Sequence, residues 1–259
     1  MNELLRQFTG EQIAGWVLVL ARISPLFIVA PLFSSRLISP RVRTIVAVAL
    51  TIGIAPLVTR GQDVPLDVLE LGALAMKELL IGLAFAYAIA ALFAAVNTAG
   101  SLMDTLIGFS FSGLLDPISG IQSSVIAQLY GLVGVAVFIA IGGDGWVIQG
   151  LNRTYEAVPL LDAPAVGSLV EGVQRAFSGI FVAAVELAAP VLLAALITDA
   201  AFGLVSRVVP QLNVFQVGFP AKVTVGLLVL GVSLPFAAGW IADEMQRSIA
   251  AALQSLRVA

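Results

Sequence analysis

Residues 177–222 read "FSGIFVAAVELAAPVLLAALITDAAFGLVSRVVPQLNVFQVGFPAK". The first part, 177–205, is dominated by Ala, Val, Leu, Ile and Phe, with Glu186, Pro190 and Asp199 as its main interruptions. A second apolar run begins at Lys222 and extends to residue 242. About 20 apolar residues at helical rise cross the hydrocarbon core of a bilayer. Each flanking run is therefore long enough to span, and helix is the only form in which a lone segment satisfies its own backbone in lipid. The intervening segment carries Pro210, Gln211, Asn213, Gln216, Gly218 and Pro220 between Arg207 and Lys222. Pro210 and Pro220 favour extended backbone at Val209 and Phe219, which predicts that helix stops at both places. The two runs should then form an antiparallel helical hairpin with a connection of about a dozen residues. Its amide side chains have no partners in lipid, so the tip should protrude into water or into another protein. The apolar residues among those amides, Val214, Phe215, Val217 and Phe219, favour docking over a plain solvent loop.

The same reading extends along the chain. Of 259 residues, 59% are hydrophobic and 11% charged, against about 45–50% and 25% in soluble domains. Six apolar segments are long enough to span: 12–33, 42–59, 68–98, 121–142, 177–205 and 222–242. The fold class is all-α, a polytopic membrane protein with several kinked or broken helices. Pro25 and Pro31 interrupt the first segment, beside Arg22, and Pro190 the fifth. The third is longer than a bilayer requires and must tilt or project. If the segments alternate, Arg36, Arg41, Arg43, Arg207 and Lys222 share one side in two tight clusters, which is expected to be cytoplasmic. The N-terminal "MNELLRQFTGEQ" lacks the basic region and cleavage site of a secretory signal, so the chain reads as mature throughout.

Composition also excludes chemistry. Cys and His are both absent, which removes disulfides, thiolate nucleophiles and the commonest metal ligand. The basic residues are scattered, with no stripe to follow a phosphate backbone, so nucleic acid is not a partner. No P-loop, HExxH or GxSxG motif occurs. No enzymatic activity, metal or cofactor is expected.

Three constellations remain. The segment 100–120, "GSLMDTLIGFSFSGLLDPISG", is too broken by Gly108, Gly113, Pro117 and Gly120 for a spanning helix and too apolar for an ordinary loop. It reads either as a re-entrant loop across a pore or as an interfacial loop on lipid headgroups. Lys77–Glu78 is a charged pair inside an apolar segment, and reads either as functional or as an interhelical or snorkelling pair. Beyond it Gly82, Ala86, Ala90 and Ala94 form a small-residue stripe on which another helix can pack closely. Glu186 and Asp199 lie about 20 Å apart along a helix, too far to share one ion, so structural pairing is favoured for them and for Arg22.

At the hairpin, "VVPQLNVFQVGFPAK" closely resembles the signature of the FliR family of flagellar export proteins, whose virulence-secretion branch is SctT-like. "SPLFIVAPLFSSRLISPRVR", "MKELLIGLAFAYAIA" and "AGSLMDTLIGFSFSGLLDP" resemble other family segments in matching order, so the likeness covers nearly the whole chain. Where many members carry a Gly-His pair, this chain has Asp144 and Gly145 before Trp146. The resemblance implies a subunit of the flagellar type III protein export gate, in the bacterial inner membrane at the flagellar basal body. It implies assembly with FliP and FliQ, proximity to FlhB and FlhA, and passage of unfolded flagellar substrates. It further implies a single membrane-embedded domain, with a FliP-like part over 1–176 and a FliQ-like hairpin over 177–259. Gly108, Phe109, Ser110, Phe111, Ser112 and Gly113 would plug the pore. Pro210, Gln211, Asn213, Phe215, Gly218, Pro220 and Lys222 would contact a partner, and Lys77 with Glu78 would bond to neighbouring subunits. The residues alone also admit an ion-coupled or small-solute secondary transporter.

Overall fold

In the computed structural model the described residues are 10–35, 38–109, 124–211 and 213–257. Among them the chain is all-α, with seven helices: α1 (Gly10–Val29), α2 (Pro40–Val58), α3 (Val68–Ile107), α4 (Val125–Ala140), α5 (Gly143–Ala157), α6 (Val166–Val208) and α7 (Val214–Arg257). Five are long and apolar enough to cross a membrane, and the bent pair α4–α5 makes a sixth candidate. This is the polytopic helical fold that the apolar runs predict.

Local chemistry sets the helix ends. Ser39 caps α2, its Oγ accepting from the Val42 N–H at 3.4 Å, with Pro40 in the first helical position. Ser124 caps α4 in the same way, through Ala127 N at 3.0 Å. Between α4 and α5 the chain turns by 72°. Gly142, at φ +68°, supplies the left-handed residue that starts α5.

Several expectations change. α1 ends at Val29, so Pro25 lies inside it and Pro31 beyond it. α3 runs on to Ile107, so the first part of segment 100–120 is helix rather than irregular loop. An apolar stretch bonds its own backbone best as helix, and no Pro occurs before residue 117 to interrupt it.

The chain divides into two compact units. The first comprises 1–91, 142–177 and 245–259, the second 92–141 and 178–244, so the boundaries fall within α3, α6 and α7 and in the turn between α4 and α5. In the first unit, Leu18, Val19 and Ile23 of α1, Ile81 and Phe85 of α3, and Val147 and Leu151 of α5 are buried. A Cβ on Gly82 would lie 2.0 Å from the Arg22 carbonyl oxygen, so α1 and α3 meet backbone to backbone there. The small-residue stripe thus has its function at its first position: only glycine admits this crossing. In the second unit, Met103 and Ile107 of α3, Tyr130 of α4, Leu187 and Val191 of α6, and Leu230 and Ile241 of α7 form one core. Outward faces are apolar as well: Leu57, Val68, Ile197 and Val232 are all exposed. Such surfaces suit lipid or other membrane chains rather than water.

Candidate functional site

The buried charge of the first unit converges on Arg22. Three residues before Pro25 and within an apolar helix, its guanidinium is fully excluded from solvent. Its Nε donates to Glu78 Oε2 in a buried ion pair. Its Nη1 donates to the Val158 carbonyl at 3.0 Å and to Thr154 Oγ1 at 3.4 Å. The cation lies 4.1 Å above the centre of the Tyr155 ring, and the Tyr155 hydroxyl donates to the Val19 carbonyl at 3.3 Å. Lys77 completes the cluster. Its Nζ faces Glu78 Oε1 at 3.1 Å, while its hydrogen bonds go to the carbonyls of Leu160 and Asp162 at 2.6 and 2.8 Å.

One carboxylate is therefore shared between two cations, and the cations also bond backbone carbonyls at the end of α5. Chemically this is a staple, fixing α1, α3 and the 158–162 segment with charge-assisted bonds. Glu78 is thus paired with Arg22 between α3 and α1, while Lys77 bridges Glu78 and the 158–162 segment. Sequence reasoning missed Thr154, Tyr155 and Val158 because α5 is amphipathic rather than uniformly apolar. The signal was present: Val147, Gly150, Leu151, Thr154 and Tyr155, all buried, recur at one-face helical spacing.

The hairpin lies in the second unit. Pro210 ends α6 as expected, but α7 begins at Val214, so the connection is only 209–213 and Pro220 lies inside α7. The physical reason is a strong cap: Asn213 Oδ1 accepts from Gln216 N at 3.2 Å, which starts α7 ahead of the proline. Pro220 then forgoes one helical bond, and its own carbonyl accepts from Thr224 Oγ1 at 2.8 Å. Lys222 Nζ pairs with Asp199 Oδ2 at 2.7 Å, tying α7 to α6 near the tip. Gly218 seats on Phe202, whose ring lies 3.3 Å from where a Cβ would be. Gln211 and Asn213 are exposed, and Phe215 belongs to the first turn of α7.

Two regions treated separately in sequence come together here. Gly108 ends α3 at φ +105°, its N–H bonded to the Asp104 carbonyl at 3.1 Å. A Cβ on it would lie 2.7 Å from Phe219 Cε2, and one on Gly226 would lie 2.6 Å from Ile107 Cγ1. The first residue of the expected plug thus rests on the hairpin. Phe109 follows it, whereas Ser110, Phe111, Ser112 and Gly113 lie outside the described residues. Of the carboxylates singled out in the fifth segment, Asp199 is paired, and Glu186 is exposed on α6 with no partner among the described residues.

Comparison with known proteins follows the same outline. The family model for bacterial export proteins, family 1, matches residues 13–248. The chain is 32% identical over 236 residues to the flagellar biosynthetic protein FliR of Escherichia coli (strain K12), covering 90% of each. It is 30% identical to FliR of Bacillus subtilis (strain 168), over 90% of this chain and 89% of that one. To the surface presentation of antigens protein SpaR of Shigella sonnei it is 28% identical over 82% of each.

Proposed function

The chain belongs to the bacterial export proteins of family 1, and from that premise we propose that it is a subunit of the type III protein export gate that serves the flagellum. The observation that carries this reading is the family match over residues 13–248, which spans the buried Arg22–Glu78 staple and the hairpin together. In this reading the chain assembles with FliP and FliQ in the inner membrane, near FlhB and FlhA, and unfolded flagellar substrates pass through the assembly. Its first 176 residues act as the FliP-like part and 177–259 as the FliQ-like hairpin. The loop Gly108–Gly113 is assigned to the pore plug, and the tip around Gln211, Asn213 and Phe215 to partner contact.

The geometry supports that assignment in two ways. The exposed tip is held by an N-cap and an ion pair, so it is presented in a defined shape rather than as a loose loop. Gly108 lies against Phe219, which places the start of the assigned plug next to the hairpin. Of the groups a secondary transporter would use for coupling, Lys77, Glu78 and Asp199 are engaged within the chain, and only Glu186 has no partner among the described residues.

The test is complementation. Deleting the gene should abolish export of flagellar subunits to the medium, and the full chain should restore it. Replacing "GFSFSG" by a short polar linker should make the membrane leak ions. Export that persists without the chain, or ion-driven solute uptake by the chain alone in proteoliposomes, would overturn the reading.

A further inference from the structure

Glu186 stands alone on α6. Between Arg175 and Asp199 the helix carries no other ionisable residue. That stretch, 176–198, is about 34 Å long at 1.5 Å per residue, close to the roughly 30 Å hydrocarbon core, and Glu186 lies near its middle. The face around it is apolar and outward: Val182 is 61% exposed, Val185 51%, Leu193 60% and Ile197 69%. No described residue pairs with the carboxylate. Pro190, four residues on, has no N–H to give the Glu186 carbonyl, so the same turn carries a second acceptor that lacks its usual helical donor. A carboxylate and a freed carbonyl on one turn, facing lipid, would each cost several kcal/mol without a donor.

We propose that this face of α6 docks a membrane-spanning helix of a different chain, and that this helix carries a single Lys or Arg at its middle, bonded to Glu186. The inference rests on the proposed export-gate assembly for the source of that helix. Charge complementarity selects the occupant, because two acceptors and no donor call for a cationic side chain with several N–H groups. A second copy of this chain does not fit. Its mid-helix cations, Arg22 and Lys77, are engaged internally. In a copy of the same membrane orientation, Arg175 lies about 16 Å along the helix from Glu186. Beside the carboxylate, the half-buried Ala189 leaves room for a partner side chain to reach it.

The test uses the full chain co-expressed with the other membrane chains of the gate. Photo-crosslinking residues at positions 182 and 193 should capture one helix of another subunit, and mass spectrometry should find a Lys or Arg near the middle of that helix. Glu186→Lys should lower recovery of the intact complex on the order of a hundredfold, as expected for breaking a buried pair. Reversing the captured basic residue to Glu should restore recovery. No described residue pairs with Glu186, so Glu186→Gln should leave the isolated chain's thermal midpoint unchanged while weakening the complex. Because the chain has no Cys, Glu186→Cys gives a unique thiol, which should resist water-soluble maleimide in the complex. Crosslinks to lipid alone or to a second copy, wild-type recovery of Glu186→Lys, or rapid labelling of that thiol would each overturn the proposal. Export that continues after deletion of the gene would refute the functional reading and leave these outcomes standing; the reverse pattern removes only this inference.

Discussion

Substituting Glu78 by Gln tests the staple most sharply. The change preserves volume and leaves one carbonyl oxygen for Arg22 Nε, but it removes the negative charge that Arg22 and Lys77 share. Arg22 would keep its bonds to Val158 and Thr154 and its position over Tyr155. Those neutral partners do not neutralise a guanidinium that is fully excluded from solvent. Breaking a buried pair from one side costs about 3–5 kcal/mol, and the retained bonds place Glu78→Gln near the lower end. At roughly 2–4 °C per kcal/mol for a chain of this size, the thermal midpoint should fall by about 6–12 °C. The measurement is thermal unfolding of the full chain in mild detergent, repeated for Arg22→Met, Glu78→Met and the double variant Arg22→Met/Glu78→Met. The double variant should recover most of the loss, because two apolar side chains replace two desolvated ions. A Glu78→Gln midpoint within a degree of wild type, or a double variant equal to the sum of the singles, would refute the staple.

Further outcomes follow from the same geometry. Asn213→Ala should cost about 1 kcal/mol through the lost cap and speed amide exchange in the first turn of α7, whereas Asn213→Asp should not. Gly108→Val should destabilise by about 1–3 kcal/mol because a β-branched residue is strained at φ +105°, and Phe219→Ala should relieve only the steric share, both read as detergent thermal midpoints. Gly82→Ala should fail to assemble the first unit, since the clash is with the Arg22 backbone, and fluorescence-detected size exclusion would show it as loss of the monodisperse peak. Asp199→Asn should cost less than about 1 kcal/mol, a midpoint shift under about 4 °C, because that carboxylate is 53% exposed and its pair is screened.

How much of this could be read from sequence depended on which physical signal a residue carried. Apolar run length places α1, α2, α3, α6 and α7 because lipid leaves a spanning chain no other way to satisfy its backbone. The same criterion passes over α5, whose polar face hides a buried stripe at helical spacing. Gly82 was accessible as the start of a small-residue stripe, yet its partner, the Arg22 backbone, is 60 positions away in sequence and reached only through the fold. Pro220 misled because a proline's local preference yields to a cap placed seven residues earlier, at Asn213. Glu186 and Asp199 look equivalent in sequence. Only the packing of α6 distinguishes them, by bringing Lys222 to one and no described residue to the other.

The central claim is that the chain works as one subunit of a hetero-oligomeric export gate. Native mass spectrometry of the complex purified from cells co-expressing this chain with FliP and FliQ tests it most directly. The prediction is a single assembly in which the 26.9 kDa chain is bound to several copies of both partners. A monodisperse monomer of this chain, recovered with both partners present in the same membrane, would contradict it.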